Sequence, residues 1–250
     1  MKELKYFNEL DELYLDATPI TDKGLKELKH LTNLTRLHLG TTAISDRGIK
    51  ELRHLQKLKW LSLDFTDITP EGLKELRYVR NLDTLYLEPS QVTDQVLRTL
   101  RETQMLHVLA NARGANNQRA GNGEEVVLFS LVDTRITNSG LKELNGLSNL
   151  KKLYMGRTRV TDEGLKHLLQ FKNLNELYLD CVPVTDNGLK ELAHLTSLRK
   201  LSLNSTQITE SGILRIGSLQ NLTSLYLRNT RVSFIGRRKL KKAIPNCKIY

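Results

Sequence analysis

The sequence predicts an α/β solenoid, a horseshoe with a parallel sheet on its concave side and short helices on its convex side. Three observations carry this. The stretch Leu10–Asn33 returns after 24 residues as Leu34–Lys57, and self-similarity at a fixed period marks a stacked array. Its first Leu recurs at Leu58, Leu82 and Leu106, then at Val126, Leu150, Leu174, Leu198 and Leu222. Each copy opens with L-x-x-L-x-L, an apolar–polar alternation that gives a strand with one buried face. It then runs through I/V-T-D-x-G-L-K-E-L, where apolar residues such as Leu25, Leu28 and Leu31 lie on one helical stripe.

The elements follow in chain order. Residues 1–9 form half a repeat, because Leu4, Phe7 and Leu10 match Leu28, Leu31 and Leu34. The chain therefore begins inside a helix, and solenoid ends need a polar cap. Either Met1–Phe7 is that cap or the chain is cut from something longer, and the second is favoured. Each helix is expected to start on an Asp N-cap, at Asp22, Asp46, Asp94, Asp162 and Asp186. Strand, helix and return to a parallel strand make a right-handed crossover. A hydroxyl column, Thr18, Thr42, Thr66, Ser90, Thr134, Thr158, Thr206 and Thr230, is expected to bond the backbone of the next turn. Val182 breaks it.

The period fails once. Leu106 and Val126 are 20 residues apart, and Gly, Asn and Arg replace the helix-stripe leucines across 111–125. No convex helix is expected there. This irregular loop is either a tolerated lesion or a functional insertion. If functional, it leans over the sheet face and puts Arg113 and Arg119 within reach of a ligand. The last repeat leads into a cap, 232–250, in which Ile249 falls in register with Leu225 as the start of an eleventh strand. The whole reads as one domain, 1–250, of about ten repeats.

Composition narrows the class. One Trp and five Phe among 250 residues make the core aliphatic. No apolar run approaches the ~18 residues of a membrane span, and the N-terminus lacks a signal-peptide core. Cys181 and Cys247 lie 66 residues apart, nearly three repeats. At about 4.8 Å per stacked strand that is beyond the roughly 7 Å limit for a disulfide. A reduced, cytoplasmic protein is expected. The net charge of +10 invites a nucleic-acid reading. However, the helix-face column Lys26, Lys50, Lys74, Arg98, Lys142, Lys166 and Lys190 is flanked by Glu27, Glu51, Glu75, Glu143 and Glu191. Only the run Arg237–Lys242 is densely basic.

The unit L-x-x-L-x-L-x-x-T-x-[IV]-T-D-x-G-L-K-x-L resembles leucine-rich repeat proteins, in particular the bacterial ones of planctomycete type. It is also similar to the cysteine-containing repeats of F-box substrate receptors, with Thr where those carry Cys. The resemblance covers almost the whole chain except 111–125. It implies an interaction surface, often within a larger protein; no F-box-like segment precedes the repeats here.

The register exposes three strand columns. The central one is Tyr14, His38, Ser62, Tyr86, Ala110, Ser130, Tyr154, Tyr178, Ser202 and Tyr226, holding five of the chain's eight tyrosines. Tyr and Trp on an open face are what binding hot spots are made of, although Tyr is also simply a good strand former. Trp60 beside Tyr86 and Phe65 favours binding. The first half is acidic, with Asp16, Asp64 and Glu88 relieved by Arg36; the second is mostly basic, with Lys152, Arg157, Lys200 and Arg228. Between them Val108, Ala110, Ala112, Leu128 and Val132 form an expected apolar saddle. The candidate partner-binding residues are Tyr14, Arg36, Trp60, Asp64, Phe65, Tyr86, Glu88, Tyr154, Arg157, Tyr178, Tyr226 and Arg228, with Arg113 and Arg119 on the loop.

No catalytic constellation stands out, and the Thr column has no accompanying base. His30, His54 and His194 share a column at the helix ends, where a His serves the dipole, so no metal and no cofactor is expected. The expected function is a non-enzymatic protein-interaction scaffold binding a protein or peptide on the concave face. Two alternatives stay open. One is an anionic-polymer or nucleic-acid binder using the basic second half and tail; the other is the recognition domain of a larger enzyme or ligase.

Overall fold

A computed structural model describes residues 2–250, which form two compact units, divided between residues 125 and 126. Met1, the first residue of the expected cap, lies outside the described residues. The first unit carries strands β1 (Glu12–Tyr14), β2 (Arg36–His38), β3 (Trp60–Ser62), β4 (Thr84–Tyr86) and β5 (Ala112–Arg113). The second carries β6 (Leu128–Ser130), β7 (Lys152–Tyr154), β8 (Glu176–Tyr178), β9 (Lys200–Ser202), β10 (Ser224–Tyr226) and β11 (Lys248–Ile249). Within the first unit β1–β4 pair in chain order, and within the second β6–β11 do so, all parallel. The register is the one the period dictates: Glu12 faces Arg36, Arg36 faces Trp60, and Leu225 faces Ile249. Both units are α/β leucine solenoids, with Leu37, Leu39, Leu61, Leu63, Leu153 and Leu177 wholly buried.

The crossovers are short. α1 (Asp22–Leu25), α2 (Asp46–Ile49), α3 (Pro70–Lys74), α5 (Asn138–Lys142), α6 (Asp162–Leu165) and α8 (Glu210–Ile213) each tighten into a 3₁₀ turn. α7 (Gly188–Leu192) is a single short helix, while α4 (Asp94–Glu102) and α9 (Phe234–Ala243) run longer. Leu25, Leu28 and Leu31, on the expected stripe, are buried.

The N-caps differ from expectation. The cap of most of these helices is instead the Thr or Ser one residue earlier, such as Ser45 and Thr69, whose hydroxyls accept from Arg47 and Glu71 N–H; α7 is capped at Asn187. Asp22, Asp46, Asp162 and Asp186 instead serve the following repeat. Asp22 accepts from Ser45 N–H and hydroxyl, both at 2.7 Å, and Asp46 from those of Thr69 at 2.8 and 2.6 Å. Asp162–Thr185 and Asp186–Thr209 repeat the arrangement, and Asn138 accepts the Thr161 N–H but donates its amide to the Thr161 hydroxyl. A cap that already uses its own hydroxyl for the helix needs a second acceptor for its N–H, and only the neighbouring repeat offers one. This also explains the Gly of T-D-x-G. A Cβ at Gly72 would lie 2.2 Å from Asp46 Oδ1, so only glycine admits the carboxylate.

The hydroxyl column is also corrected. Thr18, Thr42, Thr66, Thr134, Thr158, Thr206 and Thr230 donate to the carbonyl three residues back in their own repeat, at 2.6–2.8 Å, rather than to the next turn. The bond closes the turn that ends each strand. In that turn Ala17, Thr41, Phe65, Asp133, Arg157, Cys181, Ser205 and Asn229 adopt left-handed backbone, with φ between 52° and 62°.

Two repeats depart from the pattern. In the fourth, the left-handed slot holds Pro89, whose ring fixes φ near −65°. The turn becomes a 3₁₀ turn, Pro89–Gln91, closed by a capping box between Glu88 and Gln91. Ser90 therefore leaves the hydroxyl column and donates to Glu88 instead. In the fifth, Leu106–Val108 forms a 3₁₀ turn where a strand was expected, and pairing with β4 shrinks to one bridge, Leu85–Leu109. Residues 111–125 supply no α-helix, only β5 and two 3₁₀ turns. The chain's final pairing, β10 with β11, is the expected eleventh strand.

Candidate functional site

On the sheet face of the first unit the side chains of four adjacent strands form one aromatic ladder. Tyr14 stacks on His38 with ring centroids 4.0 Å apart, His38 meets Trp60 at 4.2 Å, and Trp60 leans toward Tyr86 at 6.2 Å. Parallel in-register pairing produces this, since each ring occupies the next strand's same or adjacent outward position. The ladder's ends are open, with Tyr14 63% and Tyr86 48% exposed. Among the described residues, neither the Trp60 indole N–H nor the Tyr86 hydroxyl has a hydrogen-bond partner. Small residues of the same columns, Ser62 and Thr84, are buried beneath their larger neighbours. His38 was not among the candidates, although its place between Tyr14 and Trp60 was visible in the register.

Carboxylates flank the ladder. Glu12 accepts from the Tyr14 hydroxyl at 2.8 Å and sits 3.5 Å from both Arg36 and His38. The Tyr14 bond, with Arg36 nearby, holds the Glu12 carboxyl below its usual range. Asp16 Oδ1 accepts the Gly40 N–H at 2.7 Å. In the second unit Asp180 accepts the Asn204 N–H in the same way, at 3.1 Å. Asp64 should likewise receive the Glu88 N–H, but Pro89 has rebuilt that turn and the Glu88 N–H donates to Gln91 at 2.9 Å. Asp64 Oδ2 keeps a bond from Ser62, whereas Oδ1 is covered and has no partner. Burial, then the charges of Asp16 and Glu88, push the Asp64 carboxyl above its usual range. The Glu88 carboxylate is itself committed to Ser90.

Phe65 is exposed but makes none of the ladder's ring contacts. In the second unit the other candidates form separate pairs. Tyr154 stacks on Tyr178 at 4.6 Å, and Tyr226 on Tyr250 at 4.7 Å. Burial drives the Tyr178 phenol up to about 12. Lys152 and Lys200 both pair with Glu176, at 3.1 and 3.3 Å, which neutralises part of the expected basic face. Arg157 lies 3.3 Å from Asp133, and the side chain of Arg228 is exposed.

Three expectations need correction. Val108 and Ala112 are buried in the core of the first unit, so they belong to no exposed saddle; Leu128 is half-buried and Val132 exposed. Arg119 does not reach outward. Its guanidinium donates to the carbonyls of Asp83, His107, Val108, Leu109, Ala110 and Ala112, groups left without strand partners where the fifth repeat breaks down. Arg113, half-buried, makes only a 3.4 Å contact to the Ala112 carbonyl. The basic tail is largely occupied as well. Arg237 donates to the Tyr250 and Leu227 carbonyls, Lys241 to that of Cys247, and Lys239 pairs with Glu210 at 2.8 Å. Among the described residues no group of three His, Cys, Asp or Glu is placed to hold a metal, and no helix is long and apolar enough to cross a membrane.

A family model described as a leucine-rich repeat matches residues 30–52, 54–76, 146–169 and 194–217. Those four stretches are leucine-rich repeats. Solved leucine-rich repeat structures share its fold. An internalin from Listeria monocytogenes is 21% identical, with a TM-score of 0.57 over 98% of this chain and 81% of that one. A leucine-rich repeat protein from Leptospira interrogans is 22% identical, with a TM-score of 0.50 over 100% of this chain and 74% of that one. At these identities the likeness is one of fold. No curated protein matches the chain. The likeness supports the repeat family, not the narrower planctomycete or F-box types. Leucine-rich repeats are in general protein-interaction scaffolds.

Proposed function

We propose that this leucine-rich repeat protein is a non-catalytic interaction module that takes a protein or peptide on the sheet face of its first unit. The observation that carries this reading is the aromatic ladder Tyr14–His38–Trp60–Tyr86, open at both ends. Large, rigid rings supply much contact area at small entropic cost, and those of Trp60 and Tyr86 add unpartnered polar edges. An anionic-polymer reading is weaker, because Arg237, Lys239 and Lys241 are engaged within the chain and Glu176 bridges two of the sheet-face lysines.

Selection of peptides displayed against the immobilised full chain tests the reading. Peptides recovered on the parent chain should bind Trp60→Ala more weakly by on the order of 2 kcal/mol, with the melting temperature nearly unchanged. Substituting Glu163, exposed on α6, should leave binding intact. Peptides that bind Trp60→Ala as tightly as the parent, or a strong loss of stability in that variant, would overturn it.

A further inference from the structure

The chain carries a net charge of +10, yet the sheet face of its first unit is acidic. Its outward columns hold four carboxylates, Glu12, Asp16, Asp64 and Glu88, against the guanidinium of Arg36. Three of the four have a backbone N–H or a charged group of the chain beside them. Glu12 has Tyr14 and Arg36, Asp16 has the Gly40 N–H, and Glu88 has the Ser90 N–H at 2.6 Å. Asp64 is different, because Pro89 removes from it the backbone donor that Asp16 and Asp180 receive. Among the described residues, the Ser62 hydroxyl at 3.0 Å is the one donor it keeps. It stands two residues beyond Ser62, just past the end of the strand that also carries Trp60.

An under-compensated carboxylate beside exposed ring surface is a surface complementary to a cation. The ring quadrupole attracts positive charge over its face, and the carboxylates add long-range attraction that needs no direct bond to the covered Asp64 Oδ1. Resting on the interaction reading above, we propose that the partner of this face is a basic peptide segment, one presenting arginine in particular, whose guanidinium lies against the ladder and offsets the charge of Asp64. Arginine is favoured over lysine because its planar, weakly hydrated head stacks on aromatic rings while still pairing with carboxylates. Glu12 and Asp16 at the far end of the ladder supply charge for a second basic residue of the same segment.

Trp60 is the chain's one tryptophan, so its fluorescence reports contact at the ladder directly. The full chain is titrated with oligo-arginine, oligo-lysine, oligo-glutamate and a neutral aromatic peptide at physiological salt. Oligo-arginine should shift the emission saturably, oligo-lysine more weakly, and oligo-glutamate not at all. Asp64→Asn, which removes charge without volume, should weaken oligo-arginine by about fivefold. Glu27→Gln, on the helix side, should leave it unchanged. The proposal falls if oligo-arginine does not move Trp60, or if Asp64→Asn and Glu27→Gln behave alike. A neutral aromatic peptide that shifts Trp60 when oligo-arginine does not would sink the charge assignment and leave the interaction reading standing; silence from every peptide would sink both. An emission change that tracks the chain's own concentration and vanishes in Arg238→Glu/Lys242→Glu would make the occupant a second copy and overturn the proposal.

Discussion

Replacing Arg119 with Ala tests the account of the irregular segment most sharply. In the parent its guanidinium reaches six backbone carbonyls, those of Asp83, His107, Val108, Leu109, Ala110 and Ala112. A hydrogen bond to a charged group contributes about 1.5–3 kcal/mol net. Bonds that share one guanidinium are not independent, and desolvating the ion offsets part of the gain. Burial and the nearby Arg113 already depress the Arg119 pKa, which reflects that cost. Two fully effective bonds' worth is a fair reckoning, so Arg119→Ala should destabilise the first unit by about 3 kcal/mol. The corresponding fall in melting temperature is about 10 °C. Lysine at 119 should recover less than half, since an ammonium cannot span carbonyls on both sides. Urea denaturation followed by Trp60 emission reads the first unit specifically. A midpoint for Arg119→Ala within about 0.5 kcal/mol of the parent would mean that the segment is held by something else.

Three further outcomes follow from the same structure. Asp46→Ala removes the acceptor of Thr69 N–H and hydroxyl and should cost about 1–2 kcal/mol; adding Gly72→Ala, now free of the 2.2 Å clash with Asp46, should cost less than Gly72→Ala alone, and additive losses would refute the steric account. Phe65→Asn relieves a left-handed residue at φ 52° that is 67% exposed and should raise stability by about 1 kcal/mol, measured by thermal unfolding; a loss would show that the ring packs. Because burial raises the Asp64 carboxyl above its usual range, its stabilising contribution is present in acid and lost as pH rises through that raised value. Asp64→Asn should therefore melt higher than the parent at neutral pH and lose that advantage below about pH 4; a constant difference across pH would exclude titration of Asp64 as the cause.

Strand positions and their register were legible because both follow from one period and one apolar alternation, which the leucines state ten times over. The caps were not. Thr and Asp are both good N-caps and stand side by side in T-D-x-G, and what separates their roles is a donor 23 residues on, in the next repeat. No window of one repeat contains that information. Arg119 was invisible for a related reason. Its partners are carbonyls freed by the local failure of strand pairing, and backbone carbonyls have no sequence signature. Pro89 was legible and passed over: it is the one proline in a slot whose other occupants are left-handed, and from it follow the rebuilt turn, the loss of Ser90 from the hydroxyl column and the isolation of Asp64.

The bonds from Ser45 to Asp22 and from Thr209 to Asp186 run in one sense only, the earlier repeat of each such joint offering the acceptor to its successor. The motif is thus a plug and a socket written on adjacent copies. Deleting one whole copy rejoins a plug to an equivalent socket and leaves no group unmatched, and inserting one does the same. A frame shift of even a few residues inside a copy breaks the fit at both of its borders. The array can therefore change length by recombination in whole repeats at little cost to its remaining joints, while the residues pointing outward from each strand vary independently of that joinery.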